Sequence, residues 1–302
     1  MSSAEQQAQR RLAWLEGVGL VNLATLTWAT NMALGRWLRD DIGPLTLAAA
    51  RLLVASLILL LLLQRRPAEE RRLGRDRWWL LGMALSGVTL FAPTLYLGLR
   101  FTTTVNATLI NGLGPVLTGV LATLLIQEPM SGRQVTGAIL GLGGVIVLIS
   151  RGSFSFWDTI GANVGDFIVL GAVALWSLYS VLGRRVMRYR SALSATAFSS
   201  FLGLPLLLVA SAWELQSFPV TLGLKQALAV VYIGIFPAVV GFLSWNAGVR
   251  RLGPSGAMVF YNTLPLYGAL LGFLFLGEPI RLTHLLGGAL IVGGGLWAGW
   301  RR

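Results

Sequence analysis

Two indoles and their neighbours carry the recognition chemistry of this chain. Trp28 and Asn31 stand three residues apart, and so do Trp176 and Tyr179, which puts each pair on one face of a helix. Asn111, Tyr261 and Asn262 form a second set, and Tyr96 with Asn106 a third. Indoles and phenols stack on flat apolar groups and attract cations. Amides and phenols hydrogen-bond an ammonium–carboxylate head group. Together they suit an aromatic or other neutral amino acid, with organic cations or drugs as the competing class. Packing would also account for them. The indoles can fill helix contacts, and Asn111, Tyr261 and Asn262 can satisfy carbonyls freed by the prolines that follow, Pro115 and Pro265. Bond-making chemistry has little to work with: the chain has no cysteine and one histidine, His284. No catalytic residue, metal site or cofactor is expected.

The elements that must position these groups are membrane helices. Hydrophobic residues make up 55% of the chain and charged residues 12%, and mean hydropathy is +0.71. Apolar stretches of roughly 20 residues, enough to cross hydrocarbon as a helix, recur throughout. They are continuous rather than alternating, which argues against a strand barrel. The pattern predicts an all-α polytopic membrane protein with ten spans, near 17–38, 43–63, 78–99, 102–126, 131–150, 163–183, 191–212, 226–249, 254–276 and 280–300. With the N-terminus in the cytoplasm, 17 basic residues fall on cytoplasmic segments and 6 on outer ones. The positive-inside rule then places both termini in the cytoplasm. The net charge of +12 is explained as loop charge, so the expected partners are the lipid bilayer and a small molecule, not nucleic acid. The polar stretch Met1–Arg11 leads straight into the first span, with no cleavable signal peptide expected. A bias of 23 arginines against one lysine fits a GC-rich bacterial genome, hence the bacterial inner (plasma) membrane. Oligomeric state is not readable from these features.

The chain also repeats itself. Gly98–Gly144 aligns without a gap on Gly248–Gly294, with 12 identical positions at an offset of 150 residues. They include Glu128/Glu278, Pro129/Pro279, Gly137/Gly287 and Gly144/Gly294. Five spans per repeat is an odd number, so the second half must insert upside down relative to the first. The expected units are 1–152 and 153–302. A Glu-Pro turn followed by a glycine-rich span, in both copies, resembles the EamA repeat of the drug/metabolite transporter superfamily. The early spans echo each other as well, Trp28 to Arg36 against Trp176 to Arg184. The resemblance covers nearly the whole chain and implies ten helices in two inverted repeats. Within the superfamily the chain looks most like the bacterial aromatic amino acid exporters, which implies export by alternating access.

In inverted-repeat transporters the site lies near the midplane between the halves. The expected substrate-binding set is therefore Trp28, Asn31, Tyr96, Asn111, Trp176, Tyr179, Tyr261 and Asn262. Pro93, Pro115, Pro237 and Pro265 lie inside spans and are the expected hinges, while spans 5 and 10 are glycine-dense and expected to pack closely. The carboxylates cluster in loops or near span ends, so no midplane proton relay is expected. Arg51 is the one buried-looking charge, expected to snorkel outward or to pair with Asp166. An intramembrane serine protease is the rival, because Gly253-Pro254-Ser255-Gly256 and His284-Leu-Leu-Gly287 resemble pieces of a rhomboid site. The expected topology puts Ser255 and His284 on opposite sides, about 30 Å apart, so the pair cannot form.

Overall fold

The computed structural model describes residues 3–74, 76–127, 130–149, 164–261 and 263–299. Every regular element among them is helical. In chain order these are α1 (Ser3–Trp37), α2 (Pro44–Gln64), α3 (Arg77–Met83), α4 (Phe91–Phe101), α5 (Thr104–Asn111), α6 (Gly114–Ile126), α7 (Gly132–Ile149), α8 (Val164–Val186), α9 (Ala192–Glu214), α10 (Leu224–Ile235), α11 (Gly241–Tyr261), α12 (Leu264–Leu276) and α13 (Leu282–Gly299). Among the described residues, seven helical stretches are long and apolar enough to cross a membrane: 11–40, 44–64, 77–101, 104–125, 164–186, 192–214 and 224–245. Three apolar helices are shorter, Gly132–Leu148, Leu264–Leu276 and Leu282–Trp297. The ten segments expected from hydropathy thus divide into seven of full length and three short ones.

Proline decides where the helices break. Pro115 lies in the first turn of α6 and Pro265 in the first turn of α12. Neither can donate a backbone bond there, and none is needed at that position. Wide π-turns join α3 to α4 (Ala84–Leu90) and α10 to α11 (Phe236–Val240). After the 150-residue offset the second coincides with positions 86–90 of the first, so the device is repeated although only one copy contains a proline, Pro237. Pro93 follows the first π-turn, near the start of α4. One expected boundary differs. The α11 range, Gly241–Tyr261, takes in Gly253-Pro254, the expected connection between two spans. The rings of Trp245 and Tyr261 nevertheless lie 5.6 Å apart, whereas a straight helix would separate these positions by about 24 Å. The chain therefore doubles back between them.

The two repeats interlock. Gly98 of α4 packs on Gly165 and Val169 of α8, and its counterpart Gly248 of α11 packs on Gly17 and Val21 of α1. α7 and α13 meet through glycine backbone: Gly144 abuts the carbonyl of Gly287, and Gly294 abuts that of Gly137. As the number rises along one helix it falls along the other, so this pair is antiparallel. Glu278 joins the halves at one corner. Its carboxylate accepts the N–H groups of Thr104 (2.9 Å) and Val105 (3.1 Å) at the start of α5. First-turn amides have no intrahelical partner, and negative charge is favoured at that end. Glu128 and Pro129 lie outside the described residues. Glu214 does the same for α2, accepting from the N–H of Leu45 (3.1 Å) and Thr46 (2.7 Å). At a connecting loop Arg190 clasps Asp76, with Nη2 donating to Oδ1 at 3.0 Å and to the Arg72 carbonyl at 2.7 Å. This hydrogen bond holds the Asp76 carboxyl below its ordinary value, against the opposing effect of burial.

Two outcomes follow from this packing. A Cβ on Gly144 would sit 2.5 Å from the Gly287 carbonyl, while one on Gly143 meets nothing within 4 Å. Gly144→Ala is expected to cost about 1–3 kcal/mol and Gly143→Ala almost nothing, read as thermal unfolding in detergent. The lowered Asp76 carboxyl contributes stability that is fully present above the unfolded-state carboxylate value, near 3.9, and is lost as pH falls through the folded value. The melting-temperature gap between wild type and Asp76→Asn should therefore be flat from about pH 8 to 5 and close below about pH 4.

Candidate functional site

The centre of the molecule is an aromatic cluster built from both repeats. α1 supplies Trp28 and α8 supplies Trp176, and the ring centroids lie 6.3 Å apart in an edge-on arrangement. Phe242 touches both, at 5.9 Å and 5.5 Å. Tyr261 lies 6.1 Å from Trp28, and Tyr179 stacks on Trp176 at 5.0 Å. The backbone holds Trp28 in place. In the π-turn the N–H of Gly241 reaches back to the carbonyl of Phe236 rather than Pro237. The Pro237 carbonyl accepts the Trp28 indole N–H at 3.1 Å. An indole thus satisfies a carbonyl beside the irregular turn, where lipid offers no donor.

Cavities open on both sides of this cluster. One, of about 80 Å³, is lined on its polar side by Asn31, Arg51, Asn111, Thr196, Ser199 and Ser200. The other, of about 230 Å³, reaches past Pro115, Thr118 and Ser180 to Met83 and Met187. Trp28, Trp176, Tyr179, Phe242 and Tyr261 line both, so the cluster is a shared partition.

Of the eight residues the sequence singles out, six line the smaller cavity: Trp28, Asn31, Asn111, Trp176, Tyr179 and Tyr261. Tyr96 is fully buried behind it, and its hydroxyl donates to Asn31 Oδ1 at 2.7 Å. Asn262 lies outside the described residues. Asn111 and Tyr261 find each other across the repeats, with the Tyr261 hydroxyl donating to Asn111 Oδ1 at 3.0 Å. They do not act as partners of proline-freed carbonyls. The Asn111 amide nitrogen is buried and has no hydrogen-bond partner. Asn106 belongs elsewhere: its Nδ2 donates to both oxygens of buried Asp166 at 3.2 Å and 3.0 Å, and Thr102 bonds the same carboxylate.

Arg51 corrects the expectation. It neither snorkels nor pairs with Asp166. Its Nη1 donates to Asn31 Oδ1 at 3.2 Å and to the Tyr96 hydroxyl at 3.1 Å, and it lines the cavity. Thr196, Ser199 and Ser200 are further lining groups, with the Ser199 hydroxyl donating to the Thr196 carbonyl at 3.0 Å. Their spacing of three and four residues on α9 marks one helical face and was the available signal. His284 stands apart, with Nδ1 accepting the Arg281 N–H at 3.0 Å at the start of α13.

Known proteins share this architecture. Residues 15–150 and 163–299 each match the EamA-like transporter family. The uncharacterized transporter YyaM of Bacillus subtilis is 32% identical over 219 residues, covering 72% of this chain and 71% of its own length. An uncharacterized transporter of Archaeoglobus fulgidus is 25% identical, covering 91% and 94%. A probable terminal-alkyne amino-acid exporter of Streptantibioticus cattleyicolor is 25% identical, covering 90% and 89%. A solved crystal structure superposes with a TM-score of 0.62 at 23% identity, covering 96% of this chain and 97% of that one, and shows the same fold. With both halves matched over most of their length, this multi-pass membrane protein belongs to the EamA-like transporter family, within the drug/metabolite transporter superfamily, and is a transporter rather than an enzyme.

Proposed function

We propose that the protein exports small amino-acid-like metabolites, aromatic or otherwise neutral, by alternating access around the central aromatic cluster. The observation that carries the reading is the indole pair. Trp28 and Trp176 come from corresponding helices of the two repeats, meet at 6.3 Å, and stand between two cavities. A partition shared by two half-sites is what a carrier needs if one bound molecule is to face each side in turn. The aromatic walls suit an apolar or flat side chain. The unpartnered Asn111 amide and the Thr196–Ser199 hydroxyls suit a polar head group. The name of the Streptantibioticus relative supports amino-acid chemistry and the outward direction. Organic cations are the competing class, since the same rings attract positive charge.

The frame for this motion is ten crossings in two inverted five-helix repeats, residues 1–152 and 153–302, in the bacterial inner membrane with both termini cytoplasmic. The antiparallel α7–α13 pair supports inversion, because equivalent helices that pack antiparallel belong to oppositely directed repeats. The basic-residue asymmetry supports the orientation. Pro115 and Pro265 mark matching helix breaks next to the cluster and are the leading hinges, with the π-turns beside Pro93 and Pro237 as secondary ones.

Flux of radiolabelled L-phenylalanine into proteoliposomes tests the reading. Saturable flux is expected, inhibited by other neutral amino acids; saturable flux of organic cations alone would replace amino acids as the substrate class. Trp28→Ala and Trp176→Ala should each lower kcat/KM by about ten-fold or more, the scale of about 0.5–1.5 kcal/mol per lost ring contact acting over several contacts. The double substitution Pro115→Ala, Pro265→Ala should slow turnover with protein yield preserved. An unchanged rate would remove the prolines from the mechanism.

A further inference from the structure

Arg51 is a charge without a counter-charge. It lines the cavity, and among the described residues no carboxylate pairs with it. Its two hydrogen bonds both leave from Nη1, to the Asn31 amide oxygen (3.2 Å) and the Tyr96 hydroxyl (3.1 Å). The Tyr96 ring lies under the guanidinium carbon at 5.6 Å from its centroid. Asn31 also accepts from Tyr96 at 2.7 Å. The three groups form a closed triangle that fixes the plane of the guanidinium. Among the described residues, the Nε–H and Nη2 edge has no hydrogen-bond partner. That edge is the fork that receives a carboxylate through two parallel hydrogen bonds.

The pseudo-symmetry sharpens the point. α2 and α9 correspond at an offset of 148 residues, as do α1 and α8, so Asn31 and Arg51 correspond to Tyr179 and Ser199. All four positions line the smaller cavity. The equivalent positions are therefore neutral in one repeat and cationic in the other. Packing would be served by two neutral versions. A positive charge held at this depth is costly unless something answers it.

We propose that Arg51 is the specificity residue for substrate charge: its free edge binds the carboxylate of the transported molecule, with Asn31 and Tyr96 as positioning residues. This rests on the amino-acid reading above and narrows it to substrates that carry a carboxylate, at the expense of organic cations. The ammonium end and side chain then point towards the neutral pole at Tyr179 and Ser199.

Competition against labelled L-phenylalanine flux in proteoliposomes tests it on the wild-type protein. L-Phenylalanine and 3-phenylpropionate should compete at similar concentrations. L-Phenylalaninamide and phenethylamine, which lack the carboxylate, should need at least about ten-fold more, as for loss of one charge-assisted pair. Arg51→Gln should raise KM for L-phenylalanine by about ten-fold or more and remove this discrimination. Arg51→Lys, which keeps charge but not the fork, should fall between. Equal competition by the amide and the amine overturns the Arg51 assignment while leaving the transporter reading standing. Absence of flux for every compound in the panel overturns the amino-acid reading, and the assignment falls with it.

Discussion

In hydrocarbon no backbone N–H or C=O can be left to water, and every irregularity in this fold has to find its partner inside the protein. That constraint explains why the departures from ideal helix sit where they do. The π-turn at Phe236–Val240 carries a carbonyl that the Trp28 indole satisfies. The start of α5 exposes amides that the Glu278 carboxylate takes, and the start of α2 exposes amides that Glu214 takes. In all three cases the partner comes from the opposite repeat. The same bonds that make an interrupted helix tolerable therefore tie the halves together around the centre. Irregular backbone, interlocked repeats and a central cavity are one consequence, not three features.

Much of this was legible in the sequence because its causes are local or periodic. Hydropathy located the apolar segments, and the 150-residue offset located the equivalences. Trp28 and Trp176 stood out by their matching positions in the two repeats, and the structure brings them together. Glycine at identical positions announced close packing, yet not which glycines: Gly144 and Gly294 face the other helix, and their neighbours Gly143 and Gly293 face open space. A one-residue step on a helix turns a side chain by about 100°, and composition alone does not choose the face.

The residues that sequence reasoning misjudged depend on long-range encounters. Arg51 looked like a snorkelling side chain because its depth was counted along its own helix. Its environment is set by α1 and α4, which supply Asn31 and Tyr96. Asp166 looked like a partner for it, and is instead held by Thr102 and Asn106. Asn111 and Tyr261, aligned in the repeat, were expected to bind substrate or to serve their own helices, and the bond between them was not foreseen. In each case the partner lies tens of residues or more away, where a hydrophobicity pattern carries no information.

The site joins near-symmetric architecture to asymmetric chemistry, and both are needed. Equivalent helices with equivalent breaks would give two conformations of similar energy, which is what the proposed alternating access requires. A fully symmetric cavity, however, would bind a head group equally well at either pole. On the proposed reading, Arg51 at the position equivalent to Ser199 would remove that degeneracy and give the bound carboxylate one preferred direction. The aromatic rings then need only accept the remainder of the substrate, and ring contacts tolerate variation in shape far better than a charge pair tolerates its absence. On this division of labour, selectivity among carboxylates should be broad and selectivity for the carboxylate itself should be strict.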